Sequence, residues 1–569
     1  MRRPCSGLLI SCALGVLARG SVGAEVGDNP RAVAGAVGSR PSGAAAAPLT
    51  LPNGPAAFAP RSVVPIDAPA LAGAIDRALS ARWDSSGASP APPAGDAEYL
   101  RRVSLDVAGR IPPASEVRGF LDSTVPDKRL RLVEKYLAGP AFPNHMTNVW
   151  KDLLLPEAAG SFQAAFFVGD FEVWLRKQFA EGVGYDRMVR EVLTVPLTNG
   201  QLVFNPGIGG TVKPSPFAFL AAKEGKPENL ASSASRLFLG LRLECAQCHN
   251  HPFSKWKRDE FWGMAAFFSG IQRQGNGDAL FQGSDTPGKH EIAVPGSKRV
   301  VQASFLDGRD TDWKSGTAAR AALADWLTAR DNPFFARAAA NRVWSQFFGV
   351  GIVDPVDDLG ANNEPSHPEL LDLLADQLAA HDFDLRYLVR AITASRAYQL
   401  SSAGGSPSSD TYRLFDRMPV RGLTPLQLYD SLIQATGLRP EPPQPPFVFG
   451  GDSPRRDFLE RFASQEERPT ERQTSILQAL TLMNGRLVAD ATSPDRGATL
   501  PALADSYFLD TAGKVETLYL ATLTRRPRPE ELERLVPYVD RGGPTLNPRK
   551  ALADVFWSLL DSAEFVLNH

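Results

Sequence analysis

The sequence has no excess of charge of either sign. It holds 61 lysines and arginines against 63 acidic residues, which gives a net charge of -2. No field of one sign is therefore present to concentrate the protein on DNA, RNA or anionic lipid. We expect no nucleic-acid partner.

The motifs of several common enzyme classes are also missing. The chain contains no G-x-S-x-G sequence, no Walker loop, no dinucleotide fingerprint and no H-E-x-x-H sequence. Hydrolase, kinase and nicotinamide-dehydrogenase functions therefore have no support, and no motif decides whether the protein is an enzyme. After the N-terminal segment no apolar run approaches the length that spans a bilayer, so we expect no transmembrane segment in the mature chain.

The overall composition is that of a globular protein of several domains. The 569 residues are 43% apolar and 22% charged, and they include 48 glycines and 47 prolines. Wholesale disorder is excluded by these proportions. The glycines and prolines indicate many loops and helix ends.

Residues 1–24 have the pattern of a cleaved secretory signal. Arg2 and Arg3 precede an apolar run, and small residues end the segment at Ala24. We therefore expect an exported protein, periplasmic or extracellular, that begins at or near Glu25. A lipoprotein signal at Cys12 fits less well, because the apolar run continues past that cysteine.

The remaining chain is predicted to be mainly α, with two helical domains. Residues 25–65 are rich in Ala, Gly, Pro and Ser and are interpreted as a disordered tether. Helical patterns occupy residues 66–270 and 317–569. Between them, residues 271–316 are polar and glycine-rich with two strand-like runs, which predicts a small β-bearing connector.

Apolar spacing and capping signals predict individual helices. The stripes are Leu71, Ile75, Leu79 and Trp83; Leu130, Val133 and Leu137 after Asp127; and Leu385, Leu388, Val389 and Ile392. Capping boxes are predicted at residues 366–369, before Leu370, Leu371, Leu374 and Leu378, and at residues 424–427.

The two cysteines outside the signal form the strongest motif. Cys245, Cys248 and His249 make the pattern Cys-x-x-Cys-His, which is typical of c-type haem attachment. Two thiols one turn apart match the two vinyl groups at one porphyrin edge, and the following imidazole is placed to ligate the iron. The motif predicts one haem c, with His249 as the iron ligand.

Two other interpretations of this motif stay open. An exported Cys-x-x-Cys pair also forms disulfides, and with His249 and His251 nearby it is compatible with a small metal site. If haem is bound, the candidates for the distal ligand are His145, Met146, Met188 and Met264, although each is more often an ordinary core or surface residue.

An acidic cluster follows an apolar run in the second half. Asp354, Asp357 and Asp358 are close enough in sequence for a cation site formed by Asp357 and Asp358. More often such a cluster pairs with arginine. We expect a structural corner in which Arg342 is the partner of these carboxylates.

Longer segments resemble a secreted planctomycete-type, cytochrome-associated family that joins domain of unknown function 1549 to domain of unknown function 1553. The resemblance covers residues 66–569. The matching segments are 98–117, 171–179 and 236–253 for the first domain, and 335–360, 365–375, 388–402, 474–485 and the C-terminal "LLDSAEFVLNH" for the second.

The resemblance implies an association with cytochromes and an exported protein partner encoded nearby, and it leaves the oligomeric state unknown. Relatives often carry Asp between the two histidines, where this chain has Asn250. Two functions follow. One is an exported redox or electron-transfer protein with one c-type haem, and the other is a non-redox helical scaffold in which Cys245 and Cys248 form a disulfide or a small metal site.

Overall fold

The computed structural model describes residues 63–159, 162–197, 214–252, 254–274, 282–311, 313, 317–360, 362–404, 412–439, 454–463, 478, 481–483 and 485–569. The predicted signal and nearly all of the predicted tether lie outside these residues. The described residues belong to one compact unit.

The fold is mainly α-helical, as the sequence predicts. Ten α-helices are described in its first part: α1 (Ala68–Ser86), α2 (Asp96–Val103), α3 (Ala114–Asp122), α4 (Lys128–Ala138), α5 (Ala141–Leu154), α6 (Phe162–Glu181), α7 (Tyr185–Thr194), α8 (Phe217–Ala222), α9 (Pro227–Leu239) and α10 (Arg258–Ala266). A π-helical turn, Ser104–Ala108, continues α2.

In the described residues the connector carries two antiparallel pairs of strands. They are β1 (Ile271–Gln274) with β2 (Gln282–Asp285), and β3 (Glu291–Ala293) with β4 (Val300–Gln302). The predicted β-bearing segment between two helical parts is therefore confirmed. The predicted runs correspond to β3 and β4, whereas β1 and β2 were not predicted.

Eleven further helices are described after the connector. They are α11 (Ala319–Leu327), α12 (Phe335–Phe348), α13 (Pro368–Ala380), α14 (Leu385–Ala394), α15 (Pro425–Thr436), α16 (Pro454–Phe462), α17 (Arg486–Ala491), α18 (Thr499–Ala504), α19 (Thr511–Leu523), α20 (Pro529–Asp540) and α21 (Pro548–Leu560). Two short strands, β5 (Arg421–Gly422) and β6 (Leu567–Asn568), pair antiparallel.

Buried apolar side chains form two cores. The first extends from Ala68 to Met418 and adds Leu520, so helices on both sides of the connector share it. The second extends from Leu423 to Phe565 and adds Leu105 and Ile111 from the first part. The predicted domain boundaries near residues 270 and 317 stay a prediction.

Several local predictions are confirmed. The four apolar residues predicted for the first helix are fully buried on α1, whose N-terminus Asp67 caps by accepting a hydrogen bond from the Ala70 amide at 2.8 Å. The stripe on α14 is buried as well. At the start of α15, Thr424 and Gln427 form the expected reciprocal capping box.

Two local predictions are wrong. Leu130 on α4 is 46% exposed, because the buried face of that helix is made by Leu132, Val133, Tyr136 and Leu137. No capping box forms before α13, where His367 is the N-cap residue. The Ser366 hydroxyl donates instead to the carbonyl of Ile352 at 3.1 Å.

Candidate functional site

The Cys-x-x-Cys-His motif lies on a short turn between α9 and α10. Helix α9 ends at Gly240, which adopts a left-handed conformation with φ 65°. A single 3₁₀ turn then spans Glu244–Gln247 and places Cys245 inside it and Cys248 at its end. Both thiols are free and exposed to solvent.

Helix α10 holds this turn in place. The Gln247 carbonyl accepts a hydrogen bond from the Trp262 indole at 3.0 Å, and the Asn250 side-chain oxygen accepts one from the Arg258 amide at 3.0 Å. The His251 amide donates to the Trp256 carbonyl at 2.8 Å, which closes the loop that follows the motif. The motif is therefore a fixed, solvent-facing element.

The His249 side chain is exposed, with Nδ1 2.7 Å from the Asn250 carbonyl oxygen. A carbonyl oxygen only accepts hydrogen bonds, so this contact requires a proton on Nδ1. In the neutral imidazole Nε2 then keeps its lone pair. Histidines that bind metals commonly have this arrangement, in which a backbone carbonyl orients the ring.

The other candidate metal ligands do not form a cluster with this motif. His251 is half-buried beside it. Among the residues that the structure describes, no three His, Cys, Asp or Glu side chains are grouped to hold a metal ion.

The candidates for a distal haem ligand all lie inside the protein. Met146, Met188 and Met264 are 1%, 3% and 0% exposed and belong to the first core. His145 is also buried, and burial lowers its pKa to about 4. These side chains therefore occupy the core positions that are usual for their residue types.

Asp357 is a carboxylate bound by arginines, but its partners differ from the expectation. Arg242 donates to Oδ1 through Nε at 3.0 Å and through Nη2 at 2.6 Å, and Arg236 Nε donates to Oδ2. Burial alone would raise the pKa of Asp357, but the hydrogen bonds and charges of these two arginines outweigh it and lower the pKa. The expected structural corner therefore forms around Arg236 and Arg242.

The expectation for Arg342 is wrong. Its guanidinium forms no salt bridge within the described part of the chain and has one long hydrogen bond, of 3.4 Å, to the Leu237 carbonyl. Helix α12 ends at Gly349, and Arg342 lies two turns earlier, where the charge of Asp357 acts on it without a direct ion pair. Asp358 does not share the arginines of Asp357; its carbonyl accepts a hydrogen bond from Asn363 at 3.0 Å.

A cavity of 1030 Å³ lies next to the motif. Its walls come from α5, α9, α12, the loop at residues 354–357 and strand β5. Glu244, directly before Cys245, lines it, whereas the two cysteines and His249 do not. The charged residues in the wall are Asp106, Asp152, Glu157, Lys223, Arg236, Arg242, Glu244, Arg342, Asp354, Asp357 and Arg421.

Most of these charges are paired. Lys223 lies 2.6 Å from Glu157, and Arg421 donates to both oxygens of Asp106 at 3.0 and 2.8 Å. The Tyr398 hydroxyl and the Asn568 amide also donate to Asp106, each at 2.8 Å. Sequence reasoning missed this cavity, although charged residues inside the apolar run at 236–243 are a signal that was present.

The fold and site thus define a mainly helical protein in which a solvent-facing Cys-x-x-Cys-His turn adjoins a charged cavity. Residues 74–273 match the family model PSCyt2, a protein of unknown function (DUF1549). Residues 319–453 match PSD1, a protein of unknown function (DUF1553). The chain belongs to the proteins that join these two domains, as its motifs predicted. Comparison with curated proteins and with solved structures gives no match.

No helix in the described residues has the length and apolar character needed to cross a membrane.

Proposed function

We propose that the protein is an exported redox or electron-transfer protein that carries one c-type haem on Cys245, Cys248 and His249. The observation that carries the proposal is the exposure and arrangement of the three side chains of the motif. Two free, exposed thiols lie on one short turn, next to a histidine whose Nδ1 is tied to a carbonyl.

The donor set fits haem c. Each thiol adds across one vinyl group of the porphyrin, so a C–S and a C–H bond form while the S–H bond and the vinyl π bond break. No oxidant is consumed. The Nε2 lone pair of His249 would bind the iron, and the group would supply one-electron chemistry when bound.

The surroundings of the motif keep it accessible to an attachment machinery. Cys245, Cys248 and His249 are exposed. The Trp262 indole donates to the Gln247 carbonyl and the Arg258 amide donates to the Asn250 side chain, so residues on both sides of Cys248 are tied to α10. Export, to the periplasm or beyond, rests on the signal pattern of residues 1–24, and haem attachment outside the cytoplasm agrees with it.

The test is to produce the full chain in a host with an active c-type haem attachment system and to record its absorbance and intact mass. We expect a Soret band and the added mass of one haem. The double variant Cys245→Ala/Cys248→Ala should lose both. His249→Ala should keep the covalent mass while the iron changes its spin state.

His290→Ala is the control, because this histidine lies in the connector, stacked on Trp313 at 4.2 Å. It should leave the spectrum unchanged. A colourless wild-type protein whose mass is two hydrogens lower than the sequence requires would overturn the proposal in favour of a disulfide-bonded scaffold. A colourless protein with bound zinc would overturn it in favour of a small metal site.

A further inference from the structure

Among the described residues of the cavity wall, Arg342 is the cation that has no carboxylate in direct contact. The other arginines and the lysine of this wall each contact a carboxylate: Arg421 contacts Asp106, Lys223 contacts Glu157, and Arg236 and Arg242 share Asp357. Arg342 has only the 3.4 Å hydrogen bond to the Leu237 carbonyl, and its Nε is buried with no partner among the described residues.

The charge of the half-buried Arg342 is only partly compensated, because Asp357 attracts it without direct contact while Arg236 repels it. Burial lowers the pKa of Arg342, but an arginine stays protonated at any physiological pH. Removing a charge from water without a partner is strongly unfavourable, so buried charges in proteins are usually paired. An anion in the cavity would offset this cost.

The wall around Arg342 contains both hydrogen-bonding and apolar groups. Ser232 and Ser233 on α9 line the cavity, as does Leu237. The Trp150 indole also lines it, and its Nε1 is buried without a hydrogen-bond partner in the described part of the chain. Arg421 Nε is a further donor of this wall without a partner among the described residues, whereas the Asn568 side-chain oxygen is an acceptor without one. Donors therefore predominate among these groups, which suits an acceptor-rich ligand. The apolar walls suit a carbon skeleton attached to it.

We propose that the cavity binds a small organic oxyanion, a carboxylate or a sulfate or phosphate ester, whose charged head pairs with Arg342. The site does not depend on haem, because neither cysteine lines the cavity. A carboxylate has two possible sources, a free solute or a propionate of a haem held on the neighbouring turn. The experiment separates these sources.

The probes are sodium sulfate, phosphate, benzoate and glucuronate, with sodium chloride at equal ionic strength as the reference. Binding is followed by calorimetry and by the melting temperature of the purified full chain, since a ligand that binds only the folded state raises it. We expect at least one oxyanion to bind and to raise the melting temperature above the chloride reference.

Arg342→Gln should weaken the binding of that anion by about thirtyfold or more. Its melting temperature without ligand should equal or exceed that of the wild type, because a half-buried charge without an ion-pair partner is removed. Arg342→Lys keeps the charge but loses the planar donor pair, so its affinity should be intermediate. Arg131→Gln, which changes an exposed arginine on α4, should behave as the wild type.

Two results would overturn the proposal: no oxyanion binds above the chloride reference, or Arg342→Gln binds as tightly as the wild type. The Cys245→Ala/Cys248→Ala variant identifies the source. If the cysteine variant and the haem-loaded wild type bind the free anion equally well, the ligand is a free solute. If only the haem-free protein binds, a propionate occupies the site. If the wild-type protein takes up no haem but still binds the anion, the proposed function is wrong and this inference still holds.

Discussion

Gly109 brings the backbone of the first part against His145. It follows the π-helical turn with φ +77°, a conformation that side chains other than glycine rarely adopt. A Cβ atom at this position would lie 2.5 Å from His145 Nδ1 and 2.8 Å from its Cγ. The close approach therefore fixes a histidine that lines the cavity.

We predict that Gly109→Ala is much more destabilising than Gly87→Ala. Gly87 has a similar φ of +68°, but a Cβ there would meet nothing within 4 Å. The Gly87 variant should lose about 1 kcal/mol from backbone strain alone, and the Gly109 variant about 2–4 kcal/mol because the imidazole must also move. Urea unfolding measures both, and equal losses would show that the contact with His145 is unimportant.

The carboxylate of Asp561 has no hydrogen bond from the described residues to stabilise its charge. Both of its oxygens are buried and lack a hydrogen-bond partner among the described residues. Burial raises its pKa to about 6. The folded state therefore binds this proton more tightly than the unfolded state, and the contribution of Asp561 to stability falls as the pH rises from about 4 to 6.

We predict that Asp561→Asn becomes progressively more stable than the wild type over this pH range. The asparagine cannot ionise, so the difference in the free energy of unfolding should be near zero at pH 4. It should reach about 1 kcal/mol at pH 7, after allowing for the partial exposure of the group. Thermal unfolding at several pH values measures it. A difference that does not change with pH would contradict the raised pKa.

At the level of residues, the sequence shows where the motif lies but not which charged residues surround it. The Cys-x-x-Cys-His pattern is local, and its three side chains come together whatever the fold. The partners of Asp357 are 121 and 115 residues away in the chain. Nothing in the spacing distinguishes Arg236 or Arg242 from Arg342, so the wrong arginine was predicted.

At the level of helices and strands, the sequence predicts an element correctly where a single apolar stripe determines its buried face. Helices α1 and α14 pack against each other and were predicted from such stripes. In α4 two overlapping stripes were available, and Tyr136, which the prediction left out, belongs to the buried one. Strands β1 and β2 carry mostly polar residues and no alternation, so their pairing has no sequence signal.

The start of α10 shows how one side chain supports the motif. The Asn250 oxygen accepts the hydrogen bond of the Arg258 amide at 3.0 Å, which satisfies one of the free donors of the first helical turn. An aspartate at this position has an oxygen that can do the same. The role we assign to Asn250 is therefore helix capping rather than metal binding.

We predict that Asn250→Asp retains stability while Asn250→Ala loses about 1 kcal/mol, the usual effect of losing a capping hydrogen bond. Hydrogen exchange at the Arg258 amide should speed up in the alanine variant only. The alkylation rate of Cys248 reports whether the turn loosens at the same time. If the Arg258 amide exchanges at the same rate in Asn250→Asp and Asn250→Ala, Asn250 does not support the helix.

On the scale of the whole molecule, two adjacent arginines connect distant parts of the chain. Arg101 and Arg102 on α2 are 0% and 1% exposed. Arg102 donates to the carbonyls of Tyr398 and Leu400, at 2.6 and 2.8 Å, near the C-terminal end of the first core. The sequence shows only a charged pair in an amphipathic helix, so their burial was not predictable.

Arg101 joins α2 to the second core. Its guanidinium donates to the carbonyls of Thr522 at 3.1 Å, Glu564 at 3.1 Å, Phe565 at 2.7 Å and Leu567 at 3.1 Å. Burial of the cation away from water lowers its pKa to about 10. These carbonyls replace the lost water and link residues more than 400 positions apart.

We predict that Arg101→Met destabilises the protein by about 3–5 kcal/mol, because it leaves several buried carbonyls without a donor. The effect should be uneven. Amide hydrogen exchange should rise more in α15–α21, which build the second core, than in α4–α7. Arg131→Met, at an arginine whose side chain is 70% exposed, should change stability by less than about 0.5 kcal/mol. If exchange rises equally in both regions, the two cores unfold as one cooperative unit, and Arg101 stabilises the whole molecule instead of joining two parts of it.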